Sequence, residues 1–154
     1  MTINLKSPAF KNEEMIPKQY TCYDKNVSPP LEWSGVPASA KSIAIITEDP
    51  DAPRGVWTHW VVYNLPADIK GLPEEVPTQD TLKNGAEQGI NDSKNIGYGG
   101  PCPPSGVHRY YFKIYALDEK LPLKSGSTKG DVVKAMKGHI LAEGQLMGKY
   151  KKVK

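Results

Sequence analysis

Residues 41–66 are KSIAIITEDPDAPRGVWTHWVVYNLP, and this stretch decides the fold. Two runs rich in β-branched and aromatic residues, 41–49 and 56–66, are separated by an acidic turn that contains two prolines. β-Branched and aromatic residues favour β-strands, whereas proline and aspartate are typical of turns. The stretch therefore predicts two strands that meet at a rigid polar corner.

A third strand is predicted at 108–118, HRYYFKIYALD, because its residues alternate between an apolar and a more polar face. The run 56–66 does not alternate cleanly, because aromatic residues and valines occur at both odd and even positions. On an ideal extended chain Trp57, His59, Val61 and Tyr63 share one face of the strand, and Thr58, Trp60, Val62 and Asn64 share the other.

The rest of the chain predicts loops, one late helix and a last strand. Residues 66–107 are rich in Gly, Pro, Asn and Asp, and so long a loop in a compact domain is usually functional or partly disordered. Its end, GYGGPCPPSGV (97–107), predicts a shaped loop. The apolar spacing within 130–146 predicts a helix, and QLMGKYKK (145–152) predicts the last strand. Many short strands with so little helix favour an antiparallel β-sandwich or barrel with short peripheral helices.

Composition limits the classes of function. A chain of 154 residues is expected to form one domain over 1–154, and its net charge of +3 does not indicate a nucleic-acid partner. We expect the basic run 149–154 to be a solvated tail. No apolar run is long enough for a signal peptide or a membrane span, which predicts a cytoplasmic protein without stable membrane insertion. Cys22 and Cys102 could form one bridge, but in a reducing compartment, and in a chain of this size, we expect free thiols.

Polar side chains gather at the ends of the predicted strands. Asp49 precedes a proline, which favours an extended backbone, and Asp51 and Pro53 complete the stiff corner. We expect this corner to aim Asp49 at His59 on the following strand. The alternative is that both aspartates only cap backbone amides of the turn.

Two further clusters contain histidine. His59 lies between Trp57 and Trp60, and His108 and Tyr110 share one face of the third strand behind a Gly/Pro loop. Each histidine alone is more often a packed core residue than a ligand. Together, two imidazoles, a tyrosine hydroxyl and backbone amides of the glycine loop would suit a small anion such as phosphate or carboxylate. Aromatic faces beside the acids would suit an ammonium group, so the pocket could take a zwitterion.

Four stretches are similar to the phosphatidylethanolamine-binding protein family. They are TEDPDAPRGVWTHWVVYNLP (47–66), GGPCPPSGVHRYYFKIYALD (99–118), NVSPPLEW (26–33) and AMKGHILAEGQLMGKY (135–150), the last of which resembles the bacterial and archaeal Raf kinase inhibitor-like branch. The resemblance implies a sandwich of two antiparallel sheets with a small anion-binding pocket at one end. It also implies a homodimer and, as in eukaryotic relatives, regulation of a kinase or protease partner.

The resemblance implies specific roles for residues of this chain. The implied pocket lining is Asp49, His59, Gly100, Pro101, His108 and Tyr110. The implied supporting residues are Asp51, Pro53, Trp57 and Arg109.

Other classes of function stay open at this point. A hydrolase could use His59 or His108 as a base, but no Ser or Thr has the setting of a nucleophile and no motif places a base beside Cys102. Two histidines and a carboxylate could form a metal site, although a zinc site with both cysteines matches no compact spacing. Loops within 66–99 could inhibit a partner protein. We expect a binding protein for a small anionic or phosphorylated ligand, with no catalytic residues, cofactor or metal.

Overall fold

The two strands around the acidic corner are central to a five-stranded antiparallel sheet. The computed structural model describes residues 2–152. The strands in chain order are β1 (Asn4–Lys6), β2 (Leu31–Ser34), β3 (Ser42–Asp49), β4 (Trp57–Pro66), β5 (Gly71–Leu72), β6 (Glu87–Gln88), β7 (Val107–Leu117) and β8 (Ile140–Lys151). The large sheet has the order β6-β4-β3-β7-β8, and a smaller sheet has the order β1-β2-β5. The prediction of two antiparallel sheets is confirmed.

The main core lies between the two sheets. Ile45, Phe112 and Ile114 of the large sheet and Trp33 of the small one belong to the same buried cluster. A second cluster on the other face of the large sheet includes Val61 and residues of helix α1 (Lys129–Met136). Because both faces of β3 are covered, all eight of its residues are buried. The end of this strand is therefore a rigid base for the side chains that follow.

A bulge in β4 changes which way its side chains point. Thr47 pairs with Trp60 and Glu48 with Thr58, so His59 has no partner residue on β3. An extra residue of this kind re-aims neighbouring side chains. His59 packs against Tyr110, while Val61 joins the cluster around the helix. The ideal alternation, which placed these two residues on one face, is therefore wrong at this point.

The predicted helix over 130–146 is only half correct. Helix α1 ends at Met136, and Gly138 follows with a φ of +85°, in the left-handed region that favours glycine. Its start is fixed by a capping box between Thr128 and Asp131. From Ile140 onward the chain pairs with β7 instead. The backbone ladder offered by β7 outweighs the weak helical spacing of residues 140–146.

The basic run at the C-terminus is not a solvated tail throughout. Lys149 pairs with Arg109 and Lys151 with Val107, so the run continues β8. Val153 and Lys154 lie outside the described residues. No helix within residues 2–152 is long and apolar enough to cross a membrane.

The N-terminal segment lies along the outer edge of β8. The Ile3 N–H donates to the Glu143 carbonyl at 2.9 Å, and the Ile16 N–H donates to the Lys149 carbonyl at 2.8 Å. Gly144 permits this approach, since a Cβ there would lie 2.0 Å from the Ile3 oxygen. The segment therefore covers backbone groups near both ends of the longest strand in the described chain.

A buried hydroxyl on β3 provides a test of the packing. Thr47 is 1% exposed, and its Oγ1 has no hydrogen-bond partner among the described residues. We expect Thr47→Val to raise the free energy of unfolding by about 1 kcal/mol, because it removes an unsatisfied buried polar group at little change in shape. Urea unfolding measures the change.

Ser42→Ala on the same strand is the matched control. The Ser42 hydroxyl is equally buried, but it donates to the Glu119 carbonyl at 2.7 Å, so its loss should destabilise the protein. Equal destabilisation by both variants would contradict the interpretation of Thr47.

Candidate ligand-binding site

A cavity of about 330 Å³ opens where β3 ends and where β4 and β7 begin. Its wall includes five of the six residues implied as pocket lining: Asp49, His59, Gly100, His108 and Tyr110. Pro101 is buried and is not part of the wall. Pro53 and Trp57 also line the cavity, whereas Asp51 and Arg109 do not. Strands β4, β3 and β7 are neighbours in the sheet, which is why distant stretches of sequence meet here.

Asp49 contacts His108 rather than His59. Its Oδ2 lies 2.7 Å from Nδ1 of His108, and its Oδ1 accepts the Asp51 N–H at 2.7 Å. Both carboxylate oxygens are thus engaged within the protein, and Asp49 is only 3% exposed. The expectation that the corner aims Asp49 at His59 is therefore wrong, because β7 lies beside β3 and supplies the closer imidazole. Asp49 fixes the orientation of the His108 ring.

His59 is fixed by a backbone carbonyl. Its Nδ1 lies 2.7 Å from the Gly99 oxygen, and because a carbonyl only accepts, Nδ1 carries the proton. The ring packs edge-on against Tyr110, with the ring centres 5.3 Å apart. Burial lowers the pKa of His59, although the Gly99 carbonyl and the Asp49 and Asp92 carboxylates oppose this effect. In the neutral ring Nε2 is left as a hydrogen-bond acceptor.

Tyr110 supplies a hydroxyl to the same cavity. Burial raises the pKa of Tyr110, and the charge of the nearby Asp49 raises it further. The phenol therefore keeps its proton at neutral pH and can donate it in a hydrogen bond. The three polar rings of the cavity, His59, His108 and Tyr110, are close to one another, since Tyr110 also stacks on His108 at 6.4 Å between centres.

The backbone amides of the glycine loop are not free to bind an anion. The Gly99 N–H donates to the His59 carbonyl at 2.9 Å, and the Gly100 N–H donates to Oδ1 of Asn26 at 2.7 Å. The expectation of amide donors is therefore wrong for these two glycines. At Gly100 a Cβ would lie 2.2 Å from the Tyr20 oxygen, so glycine is required for close packing of the loop against residues 20–26.

Asp51 and Arg109 brace the corner outside the cavity. The guanidinium of Arg109 donates from Nε and Nη2 to the two oxygens of Asp51, both at 2.8 Å, and the Arg109 N–H adds a third bond at 2.9 Å. This two-pronged pairing is the strong form of an arginine–carboxylate contact. Hydrogen bonding to Arg109 lowers the pKa of Asp51 to about 2.

Acid should weaken this brace in a defined pH range. The folded-state pKa of Asp51 lies below its ordinary value of 3.8, so its stabilising effect is complete above that value and is lost as pH falls towards about 2. We expect Asp51→Asn to be less stable than the parent at pH 6, with the difference shrinking between pH 4 and pH 2. Urea unfolding across this range measures the difference. Arg109→Gln should remove the same pH-dependent part of the free energy of unfolding. A stability difference between Asp51→Asn and the parent that does not change with pH would contradict the assignment.

The two cysteines form a disulfide, which corrects the prediction of free thiols. Cys22 and Cys102 are 80 positions apart in sequence, yet their Cα atoms lie 5.4 Å apart. The fold places residues 20–26 beside the glycine loop, as the bond from the Cys22 N–H to the Pro101 carbonyl at 3.0 Å shows. The prediction of free thiols rested on the rarity of disulfides in reducing compartments, which says nothing about how close two cysteines lie in the fold. The even number of cysteines was the one signal that allowed a bridge.

Part of the wall was missed by sequence reasoning. The additional lining residues are Cys22, Asn26, Ala52, Asn91, Ser93, Asn95, Tyr98, Gly99, Cys102, Pro103 and Pro104. Asn91 organises its segment, since its amide donates to the Gly97 carbonyl at 3.0 Å and its oxygen accepts the N–H groups of Ser93 and Asn95. The density of Asn and Gly in 91–100 was the available signal, but it indicates a turn as readily as a wall.

Among the described residues, three side chains that could bind a metal ion lie close together outside the cavity. Asp118, Glu119 and His139 lie at the other end of β7, with both ring nitrogens of His139 within 3 Å of a carboxylate oxygen. In residues 2–152 the cavity histidines do not form such a set with a carboxylate. The cysteines are bonded to each other and offer no thiolate.

A comparison with models of protein families shows to which family the chain belongs. The model of the phosphatidylethanolamine-binding protein family matches residues 6–151. The chain belongs to the phosphatidylethanolamine-binding protein family. The family resemblance predicted from the sequence is thereby confirmed.

Relatives of known sequence and structure agree with this membership in the family. The chain is 55% identical to the UPF0098 protein of Methanothermobacter thermautotrophicus over 150 residues, which are 97% of this chain and 99% of the relative. Its fold matches that of the phosphatidylethanolamine-binding protein homologue CT736 of Chlamydia trachomatis, with 44% identity, a TM-score of 0.91 and 99% of both chains covered. It also matches YbcL of E. coli, a member of the mammalian PEBP family, with 34% identity, a TM-score of 0.90 and 99% and 100% covered.

Proposed function

We propose that this member of the family is a binding protein whose cavity takes a small anion, with a phosphoryl group as the best fit. The supporting observation is the pair of imidazoles fixed through Nδ1 by Gly99 and Asp49. In each ring this leaves Nε2 for a ligand, and the Tyr110 ring packs against both imidazoles. A volume of about 330 Å³ suits a phosphate or a small headgroup and lies at the lower end of ligand pockets.

The charges of the wall specify how an anion would bind. Asp49 is the one acidic residue among the described lining residues, and no lysine or arginine lines the cavity with it. When burial keeps His59 neutral, its Nε2 offers a fully ionised phosphate a lone pair rather than a donor. The bound complex therefore needs a proton, either on His59 Nε2 or on the phosphate itself, whose second pKa lies near neutrality.

Proton coupling provides a direct test. We expect phosphate to bind more tightly at pH 6 than at pH 8, by a factor on the order of ten, because each binding event retains one extra proton. Calorimetric titration in two buffers of different ionisation enthalpy counts the protons taken up. Saturable binding with proton uptake at pH 8 supports the proposal, and the absence of saturable binding to the parent protein contradicts it.

Phosphoethanolamine titrated in parallel tests whether an ammonium group contributes. Trp57 and Tyr98 are wall residues whose rings could contact an ammonium group, whereas both oxygens of Asp49 are already engaged. A preference for phosphoethanolamine over phosphate would assign the ammonium group to these rings. Equal affinities would restrict the recognition to the phosphoryl group.

Further properties implied by the family stay predictions. They are regulation of a kinase or protease partner, a homodimer and a cytoplasmic location. Size-exclusion chromatography with light scattering tests the dimer.

A further inference from the structure

We propose that the Cys22–Cys102 disulfide is a thiol–disulfide exchange site in the pocket wall, and that a dithiol reductant acting there weakens ligand binding. This inference rests on the proposed anion pocket and adds a means of regulating it. Its starting point is that both cysteines line the same cavity as His59 and His108.

The disulfide is accessible from solvent. Cys102 is exposed and Cys22 is half-buried, so Cys102 is the more accessible of the two residues to an attacking thiolate. Disulfide exchange needs such access in addition to a nucleophilic thiolate. Most disulfides that only support a core lack this access, whereas this one lies on a wall that the ligand would contact.

Hydrogen bonds hold the first part of the glycine loop independently of the disulfide. The Tyr98 hydroxyl donates to the Tyr20 carbonyl at 2.7 Å, and the Gly100 N–H donates to Asn26 at the same distance. The Cys22 N–H donates to the Pro101 carbonyl at 3.0 Å. The backbone up to Pro101 should therefore stay in place when the disulfide is reduced.

The second part of the loop depends on the disulfide. Beyond Pro101, the described structure attaches residues 102–106 to the facing segment by the disulfide and by the Tyr23 hydroxyl, which donates to the Pro103 carbonyl at 2.7 Å. Residues 104–106 are exposed, and Gly106 has a φ of +69°. Cys102, Pro103 and Pro104 are wall residues, and the segment leads directly into His108. Loss of the covalent link would therefore loosen this side of the cavity.

The exchange transfers two electrons. A thiolate of the dithiol attacks the Cys102 sulfur, the bond between the two cysteines breaks, and Cys22 leaves as a thiolate that takes up a proton. The second thiol of the reductant then attacks the mixed disulfide and releases Cys102 as a thiolate, which is also protonated. The reductant ends as a disulfide and the protein as two thiols.

Binding and reduction must influence each other to the same extent. If phosphate binds the oxidised protein about tenfold more tightly than the reduced protein, saturating phosphate must shift the reduction equilibrium tenfold towards the disulfide. An equilibrium in a dithiothreitol redox buffer, with and without phosphate, measures this shift.

The main experiment compares phosphate affinity in the two redox states. The protein is titrated calorimetrically with phosphate before and after treatment with dithiothreitol, and thiols are counted with Ellman's reagent under native conditions. We expect two thiols per chain, an affinity at least fivefold lower, and recovery after reoxidation. The double variant Cys22→Ser/Cys102→Ser should bind as weakly as the reduced protein and should not respond to dithiothreitol. Circular dichroism verifies that each form is folded.

Each outcome decides one of the two proposals. Equal affinities of the oxidised and reduced proteins, or no thiols after native reduction, would overturn the exchange site while leaving the pocket intact. No binding to the oxidised protein would overturn the proposed function. In that case hydrogen exchange of the peptide 105–110 decides the present inference, which requires faster exchange in the reduced protein.

Discussion

We expect phosphate to bind the His59→Ala variant about 10- to 100-fold more weakly than the parent protein. The variant removes an imidazole whose Nδ1 is fixed on Gly99 and whose Nε2 is left for the ligand. A hydrogen bond to a charged group contributes about 1.5–3 kcal/mol, which corresponds to this loss of affinity. Calorimetric titration of the oxidised protein near pH 6 measures the change. Asp49→Ala should act in the same direction, because it frees the ring of His108.

The third histidine provides a matched control. His139 lies at the far end of β7 and contacts Asp118 and Glu119, so His139→Ala should bind phosphate as the parent does. His59→Ala also leaves the Gly99 carbonyl without its partner, at a cost of about 1–3 kcal/mol, which is within the usual stability of a domain. A folded His59→Ala protein that binds phosphate as tightly as the parent would refute the pocket assignment.

We expect removal of the disulfide to lower the free energy of unfolding by about 2–4 kcal/mol. The bond closes a loop with a sequence separation of 80 residues, so it restricts the unfolded chain strongly. For a chain of this length the corresponding decrease in Tm is roughly 5–15 °C. Differential scanning calorimetry of Cys22→Ser/Cys102→Ser against the oxidised parent measures it.

The reductant separates the effect of the bond from the effect of the substitutions. Dithiothreitol should lower the Tm of the parent towards that of the double serine variant and leave the variant unchanged. A parent whose Tm does not change although both thiols have been released would show that the bridge contributes nothing to stability.

The central strands and the relationship to the family could be predicted from sequence because they depend on local composition. Runs of β-branched and aromatic residues specify β3, β4 and β7 through their own preferences. The cavity then follows from sheet order, since β4, β3 and β7 are neighbours and bring His59, Asp49 and His108 to one edge. The positions of the polar clusters at strand ends predicted this grouping, and the family resemblance specified which residues line the pocket.

The remaining features depend on long-range geometry. The bulge at His59 is visible only in the pairing of Thr47 and Glu48 across the sheet. The strand that begins at Ile140 owes its structure to the backbone of β7, and the disulfide owes its existence to two loops that meet in space. The engaged amides of Gly99 and Gly100 likewise depend on their partners elsewhere in the chain. None of these contacts leaves a local signature.

The N-terminal segment covers the outer edge of β8. A strand as long as β8 with an open edge would offer a template to the strands of other molecules. The segment that contains Ile3 and Ile16 occupies that edge near both ends, so a second copy cannot simply extend the sheet there. Fibril-like stacking along β8 therefore requires the segment around Ile3 and Ile16 to detach first.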